Sequence, residues 1–301
     1  MRDRGFWSGF SIRRFWISVV MGFALTGHAL ALGYQEMGPR QVTEGTVRFQ
    51  LYWGYLIVAQ GSAGPLKGLS FLLDTGASPT VLDPRVARAL HLMEEPASIT
   101  VVGGSVQAGK TVVPDLSFGP VQRDNVPVLV EDLSFLQKAL PVRIDGVIGL
   151  DVLGQTSFMI DYASRTIAFG AVPALPNAIP LHMRDGLAIV DAQVNGVGAS
   201  LLLDTGASSL TLFARNTTGP VAGLKVSAAQ GSGGSIGEFA HKQGKLRSLK
   251  LGETEFGPEP VSVVSEGNRP GYAFDGLLSP AAMGVTKVAI DLGRGEVAFS
   301  R

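Results

Sequence analysis

The residues best placed by type and spacing to do chemistry are two carboxylates, Asp74 in Asp74-Thr75-Gly76-Ala77-Ser78 and Asp204 in Asp204-Thr205-Gly206-Ala207-Ser208. A lone carboxylate is a poor base, with an unperturbed pKa of ~4. Two held against each other cannot both ionise, so they keep one proton between them and titrate apart. The ionised member can then take a proton from a bound water while the protonated one polarises an amide carbonyl. That is hydrolysis without a covalent intermediate, a metal or a cofactor.

Such a pair needs elements that deliver both acids to one point. Leu72-Leu73 and Leu202-Leu203 lead into the two copies, so in each an apolar strand ends on the acid and turns away through glycine. Gly76 and Gly206 allow a backbone turn that a Cβ would obstruct. Thr75 and Thr205 can each bond the opposite loop and lock the two together. The copies lie 130 residues apart, and so do Asp145 and Asp275, Asp161 and Asp291, and Gly103-Gly104-Ser105 and Gly233-Gly234-Ser235. Four landmarks in one register mark a duplicated domain whose period is far too long for a solenoid. Two similar lobes about a pseudo-twofold axis follow. The repeated acids Asp145, Asp161, Asp275 and Asp291 read as strand-end and turn residues.

The secondary structure reads as mainly β, with 39 glycines and 17 prolines bounding short Val-, Ile-, Leu- and Phe-rich runs. Strands are expected at 55–58, 70–73, 99–102, 126–130, 166–169, 188–190, 261–264 and 296–299. Asp83 can cap a helix over 84–90, with Pro84 in its first turn, and a second short helix should follow Gly149. The proline-rich segment 171–180 reads as the connection between lobes. The expected fold is bilobal, two β-barrel-like lobes at residues 32–172 and 173–301.

Residues 1–31 stand outside that fold. Arg2, Arg4, Arg13 and Arg14 precede an apolar run from Phe15 to Leu25, and Ala29-Leu30-Ala31 offers a cleavage site; this is the layout of an export signal. The Arg13-Arg14 pair leaves general and twin-arginine export both open. The address is periplasmic or secreted, with a membrane tether if the segment is retained. Residues 32–45 read either as a removable pro-segment or as part of an inter-lobe sheet. The signal takes four arginines and Asp3 with it, leaving 21 basic against 24 acidic side chains. No basic stripe remains to hold nucleic acid. With no cysteine there is neither disulfide nor thiolate metal site. His91, His182 and His241 have no metal-ligand spacing, and no Gly-x-Ser-x-Gly elbow recruits one into a triad. Neither metal nor cofactor is expected. Trp53 and Tyr55 form a small aromatic cluster, read first as core packing and second as a cleft wall.

The doubled Asp-Thr-Gly-Ala-Ser, each copy followed by Asp-Gly-apolar-apolar (Asp145-Gly146-Val147-Ile148-Gly149 and Asp275-Gly276-Leu277-Leu278-Ser279), resembles the aspartic protease superfamily of pepsins and retropepsins. The likeness runs from about Val47 to Phe299. It implies an acid-protease fold and an exported endopeptidase acting on extended polypeptides as a monomer, with Asp74 and Asp204 catalytic. The shared proton is a known property of that family and is carried over with the resemblance. Ser279 replaces the family's glycine, which implies looser packing at that crossing. Ala77 and Ala207 stand where pepsins often carry a hydroxyl; its loss removes a bond favouring ionisation and moves the expected optimum toward mild acidity. No tyrosine lies between Ser78 and Asp145. Glycine-rich stretches in both halves instead imply two flaps with tips at Gly103, Gly104, Gly233 and Gly234, or else ordinary hairpin turns. The other function class is a non-hydrolytic peptide binder or inhibitor on the same fold.

Overall fold

The computed structural model describes residues 41–42, 44–101, 104–137, 140–174, 176–214, 219–232, 238–257, 259–265 and 274–301. The expected export signal, the pro-segment reading up to residue 40, and Gly103, Gly233 and Gly234 lie outside them. Among the described residues no helix is long and apolar enough to cross a membrane. The chain is mainly β, and its two halves repeat one arrangement.

In the first half, the strand Leu66–Leu73 carries the chain into Asp74. Its buried end lies parallel to Gly146–Ile148, with Leu72 opposite Val147 and Leu73 opposite Ile148. Gly146–Ile148 in turn runs antiparallel to Val81–Leu82. The second half repeats this: Val197–Leu203 lies parallel to Gly276–Leu278, which is antiparallel to Leu210–Ala214. Strands covered on both faces need continuous apolar sequence, which explains the leucine pairs before each acid; Leu72, Leu73, Leu202 and Leu203 are all fully buried.

Asp145 and Asp275 tie these crossings. Each carboxylate accepts a backbone N–H from the strand leading to the Asp loop, Ser70 and Ser200 respectively, at 2.9 Å. Asp161 and Asp291 close the turns after their strands: Asp161 accepts from Ala163 N and Ser164 N, and Asp291 from Arg294 N.

The halves are joined by an antiparallel sheet running Gly45–Arg48, Thr166–Phe169, Phe158–Asp161, Lys287–Asp291, Glu296–Ser300 and Ile179–Arg184. Its centre pairs Phe158 with Ile290 and Ile160 with Val288. Gly45 to Arg48 is therefore part of the inter-lobe sheet. The connection between halves is shorter than 171–180, because Ile179 and Pro180 already pair with Val297 and Glu296. Proline is tolerated there, in the opening residues of a strand.

The helix after Asp83 runs Pro84–Ala89, with Asp83 accepting from Arg85 N, and a shorter one runs Leu150–Leu153. Unexpected is the 15-residue strand Gly104–Phe118, which continues through Pro114. Its register with Val121–Val130 pairs Val113 with Val126 and Asp115 with Asp124. Pro114 needs no ladder bond at that break, where Asn125 adopts a left-handed φ of 52°.

The crossing at Ser279 is not loosened. In the first half Leu150 N donates to Ala77 O at 2.9 Å. The matching residue is Pro280, which has no N–H, and the Ser279 hydroxyl supplies the bond to Ala207 O at 2.6 Å. Ser279→Ala should thus cost about 1–3 kcal/mol by leaving that buried carbonyl unpaired. Gly149→Ala should cost at least as much by sterics, since a Cβ there stands 2.5 Å from Ala77 O. Urea unfolding of both variants measures the difference.

Candidate active site

The Asp74 and Asp204 loops meet where the halves touch, and their threonines are the fastening. Thr75 Oγ1 donates to Leu203 O at 2.7 Å and accepts from Thr205 N at 3.1 Å. Thr205 Oγ1 donates to Leu73 O at 3.3 Å and accepts from Thr75 N at 3.0 Å. Each hydroxyl thus satisfies a buried amide and a buried carbonyl of the other half. Neither Thr75 nor Thr205 is more than 1 % exposed, so water cannot replace these partners.

This fastening presses each glycine against the opposite acid. A Cβ on Gly76 would stand 2.7 Å from Asp204 Cγ, and one on Gly206 would stand 2.7 Å from Asp74 Oδ2. Neither glycine adopts a left-handed φ. The need for glycine is therefore close approach to a carboxylate rather than an unusual turn.

Asp74 and Asp204 are both 0 % exposed. Asp74 Oδ1 accepts the Gly76 N–H at 2.7 Å. Among the described residues, Asp74 Oδ2 and both Asp204 oxygens are buried with no hydrogen-bond partner. A proton held between the two acids supplies the donor that this cluster of acceptors lacks. Burial pushes the Asp74 carboxyl up to about 6, against the pull of the Gly76 amide, the Asp204 side chain and the Gly206 amide. Burial pushes Asp204 well above the ordinary carboxylate range, and the charge of Asp74 pushes it further, opposed by the Ala207 and Gly206 amides. Both carboxyls are thus held above the ordinary carboxylate range, and the pair titrates as a unit that keeps one proton between its members.

Two supporting groups had no counterpart in the sequence reading. Thr80 and Asp151 form a buried link beneath the first loop: Thr80 Oγ1 donates to Asp151 Oδ1 at 2.8 Å, Thr80 N to Asp151 Oδ2 at 2.9 Å, and Gly149 N to Thr80 Oγ1 at 3.1 Å. Burial raises the Asp151 carboxyl while the bonds from Thr80 oppose it. The matching positions are Leu210 and Ala281, so comparing the halves at polar positions would have revealed the pair. Tyr162 is the second: among the described residues its hydroxyl is buried without a partner, and burial, then the charge of Asp204, pushes its ionisation upward. Its counterpart is Leu292.

Of the expected flap residues, Gly104 opens the strand Gly104–Phe118, which forms a hairpin with Glu95–Val101. Ala97, Val106 and Ala108 of that hairpin pack on the apolar cluster holding Ala77. The second half has the hairpin Val226–Ser232 with Glu238–Lys245. The histidines lie in unrelated settings: His91 follows the Pro84–Ala89 helix, His182 is 3.3 Å from Asp191, and His241 is buried in Glu238–Lys245.

A family model described as aspartyl protease matches residues 61–152 and again residues 190–279. One copy falls on each half and together they span more than half of the chain, so this protein belongs to the aspartyl protease family. No individual curated protein matches it significantly.

Two stability outcomes follow from this geometry. Thr75→Val keeps the shape but strands Leu203 O and Thr205 N, and should cost about 2–4 kcal/mol in urea unfolding. The dyad has the opposite sign. A carboxyl whose folded pKa lies above the unfolded 3.8 stabilises the fold only when protonated, an advantage complete below 3.8 and lost as pH rises through about 6. Asp74→Asn keeps an acceptor for Gly76 N and removes the charge. It should be more stable than wild type at pH 7.5 by on the order of 2–3 kcal/mol, and nearly equal to it at pH 3.5, by thermal melts at both.

Proposed function

We propose that this protein is an exported aspartic endopeptidase that hydrolyses extended polypeptides with a water activated between Asp74 and Asp204. The observation that carries the reading is the pair of buried acids, each lying against the glycine of the opposite loop. Asp74 takes a proton from the water as the water's oxygen attacks the scissile carbonyl carbon. Asp204 passes its own proton to the carbonyl oxygen, giving a tetrahedral diol. As that diol collapses, the C–N bond breaks, the amine nitrogen takes the proton from Asp74, and a diol hydroxyl returns one to Asp204. The two acids finish as they began.

One chain supplies both acids, so the reaction needs no second copy. The hairpins at 95–118 and 226–245 serve as flaps over the peptide and exclude water during the reaction. The uncharged apolar surroundings of Ala77 and Ala207 suit hydrophobic side chains beside the scissile bond.

Cleavage of an unfolded protein by the purified chain, beside Asp74→Asn and Asp204→Asn, tests this. Each variant should lose about 10²–10⁴-fold in rate, and a statine-type inhibitor should block the wild type. The rate should climb with pH as Asp74 ionises near 6 and decline at higher pH as Asp204 loses its proton. Undiminished cleavage by either variant, or an optimum near pH 2, would remove the mechanism. A folded wild type that binds peptide and never cuts it would make the protein a binder.

A further inference from the structure

Trp53 breaks a local rule of the chain. Tyr55 N donates to Tyr52 O at 3.1 Å, and the two residues between them, Trp53 and Gly54, have φ of 52° and 81°. Two left-handed central residues define a type I′ turn, which strongly favours Asn-Gly or Asp-Gly. The hairpins of the second half obey: Asp185 and Gly186 have φ of 51° and 76°, and Asn195 and Gly196 have φ of 51° and 85°. A bulky side chain at positive φ is strained. Nor is the indole in the core, because Trp53 remains 46 % exposed while Tyr55 is 7 % exposed. The two rings lie 6.5 Å apart. Residues that hold an unfavourable backbone with no packing gain concentrate at binding sites.

The position agrees. In the second half the tip of the corresponding hairpin lies against the first Asp loop: a Cβ on Gly186 would stand 2.7 Å from Ser78 Oγ. The pseudo-twofold that carries Ser78 onto Ser208 carries this tip onto the turn Tyr52–Tyr55. The two tips therefore flank the dyad from opposite ends. They are chemically unlike: Tyr52 and Trp53 at one, Arg184 and Asp185 at the other, with Met183 one step back. The loop bearing Trp53 is also one residue longer, with Tyr52 paired to Leu56 where Arg184 is paired to Leu187. Among the described residues nothing lies within 4 Å of a Cβ placed on Gly54, where Gly186 meets Ser78.

We infer that Trp53 is a specificity-determining residue, an aromatic platform for a large apolar or aromatic side chain of the substrate some residues from the scissile bond. Because the opposite tip lacks a ring, it also sets the direction in which the peptide lies. The inference rests on the peptide-cleft reading above. A flat indole offers wide contact area at small entropic cost and prefers stacked or edge-on aromatic partners. Arg184 and Asp185 favour a polar residue at the mirror position.

The test is binding rather than turnover. Fluorescein-labelled ten-residue peptides with a statine-type isostere in place of the scissile bond carry Phe, Leu, Ala or Asp at each outer position in turn. Affinities are read by polarisation for wild type and Trp53→Asn, the variant whose residue suits the turn. Wild type should prefer Phe to Ala by about tenfold on one side of the isostere only, and Trp53→Asn should cut that preference below about threefold. Binding of the all-Ala peptide should be unchanged, and the melting temperature should not fall. Preference that survives in Trp53→Asn, that is equal on both sides, or that is absent from wild type overturns the inference, as does failure to bind any member of the panel. Selective binding without cleavage of the corresponding amide peptides would overturn the hydrolytic reading and leave this one standing.

Discussion

The reciprocal bonds of Thr75 and Thr205 are the constraint on which the rest depends. Each hydroxyl reaches across the junction to a carbonyl and an amide of the other half. That fixes the approach of the two loops, and the approach leaves no room for a Cβ on Gly76 or Gly206. It also buries both carboxyls completely, and burial moves their ionisation. The chemistry is thus paid for by the fold: a charge kept from water is unfavourable, and bonds that carry no charge hold it there. The inter-lobe sheet, with Ile160 opposite Val288 at its centre, supplies the apolar support.

Duplication supplies the symmetry, and the surroundings of the two acids depart from it. A perfect twofold would give two identical acids. Here Asp74 has the Gly76 amide in bonding geometry, while among the described residues the Ala207 and Gly206 amides favour the charge of Asp204 without a bond of that geometry. Thr80 and Asp151 brace only the first loop. A buried Tyr162 hydroxyl faces the field of Asp204 where the other half has Leu292. At the second crossing a hydroxyl replaces a backbone donor, Ser279 for the amide that Pro280 lacks. These changes keep the geometry of the two loops while giving each acid different neighbours.

What was legible in the sequence was whatever a short window or a fixed offset encodes. The strand Thr166–Phe169 and the Asp83 cap depend on neighbours in sequence. The repeated acids depend only on counting. What needs three dimensions was read less well. The demand for glycine at Gly76 comes from a carboxylate 128 positions on, which no local pattern contains. The strand Gly104–Phe118 was not expected, and the sequence does not show that Pro114 falls where the pairing skips from Val113 to Asp115. Ser279 reads as a loss until Pro280 beside it is matched to Leu150 across the halves. Trp53 reads first as core because aromatic residues usually are, and only its backbone φ and its exposure set it apart.

A fused pair of lobes also differs from two identical ones in its outer reaches. In a dimer of one lobe, any residue added to one end of the cleft appears at the other, so the two ends must accept the same side chains. Fusion removes that restriction while the threonine fastening still enforces near-symmetry at the centre. Such variation is present at the hairpin tips, Trp53 at one end and Asp185 at the other, while at the centre Ser279 replaces the hydrogen bond that Pro280 removes. The same duplication thus gives matching geometry at the two acids and unlike residues at the two tips.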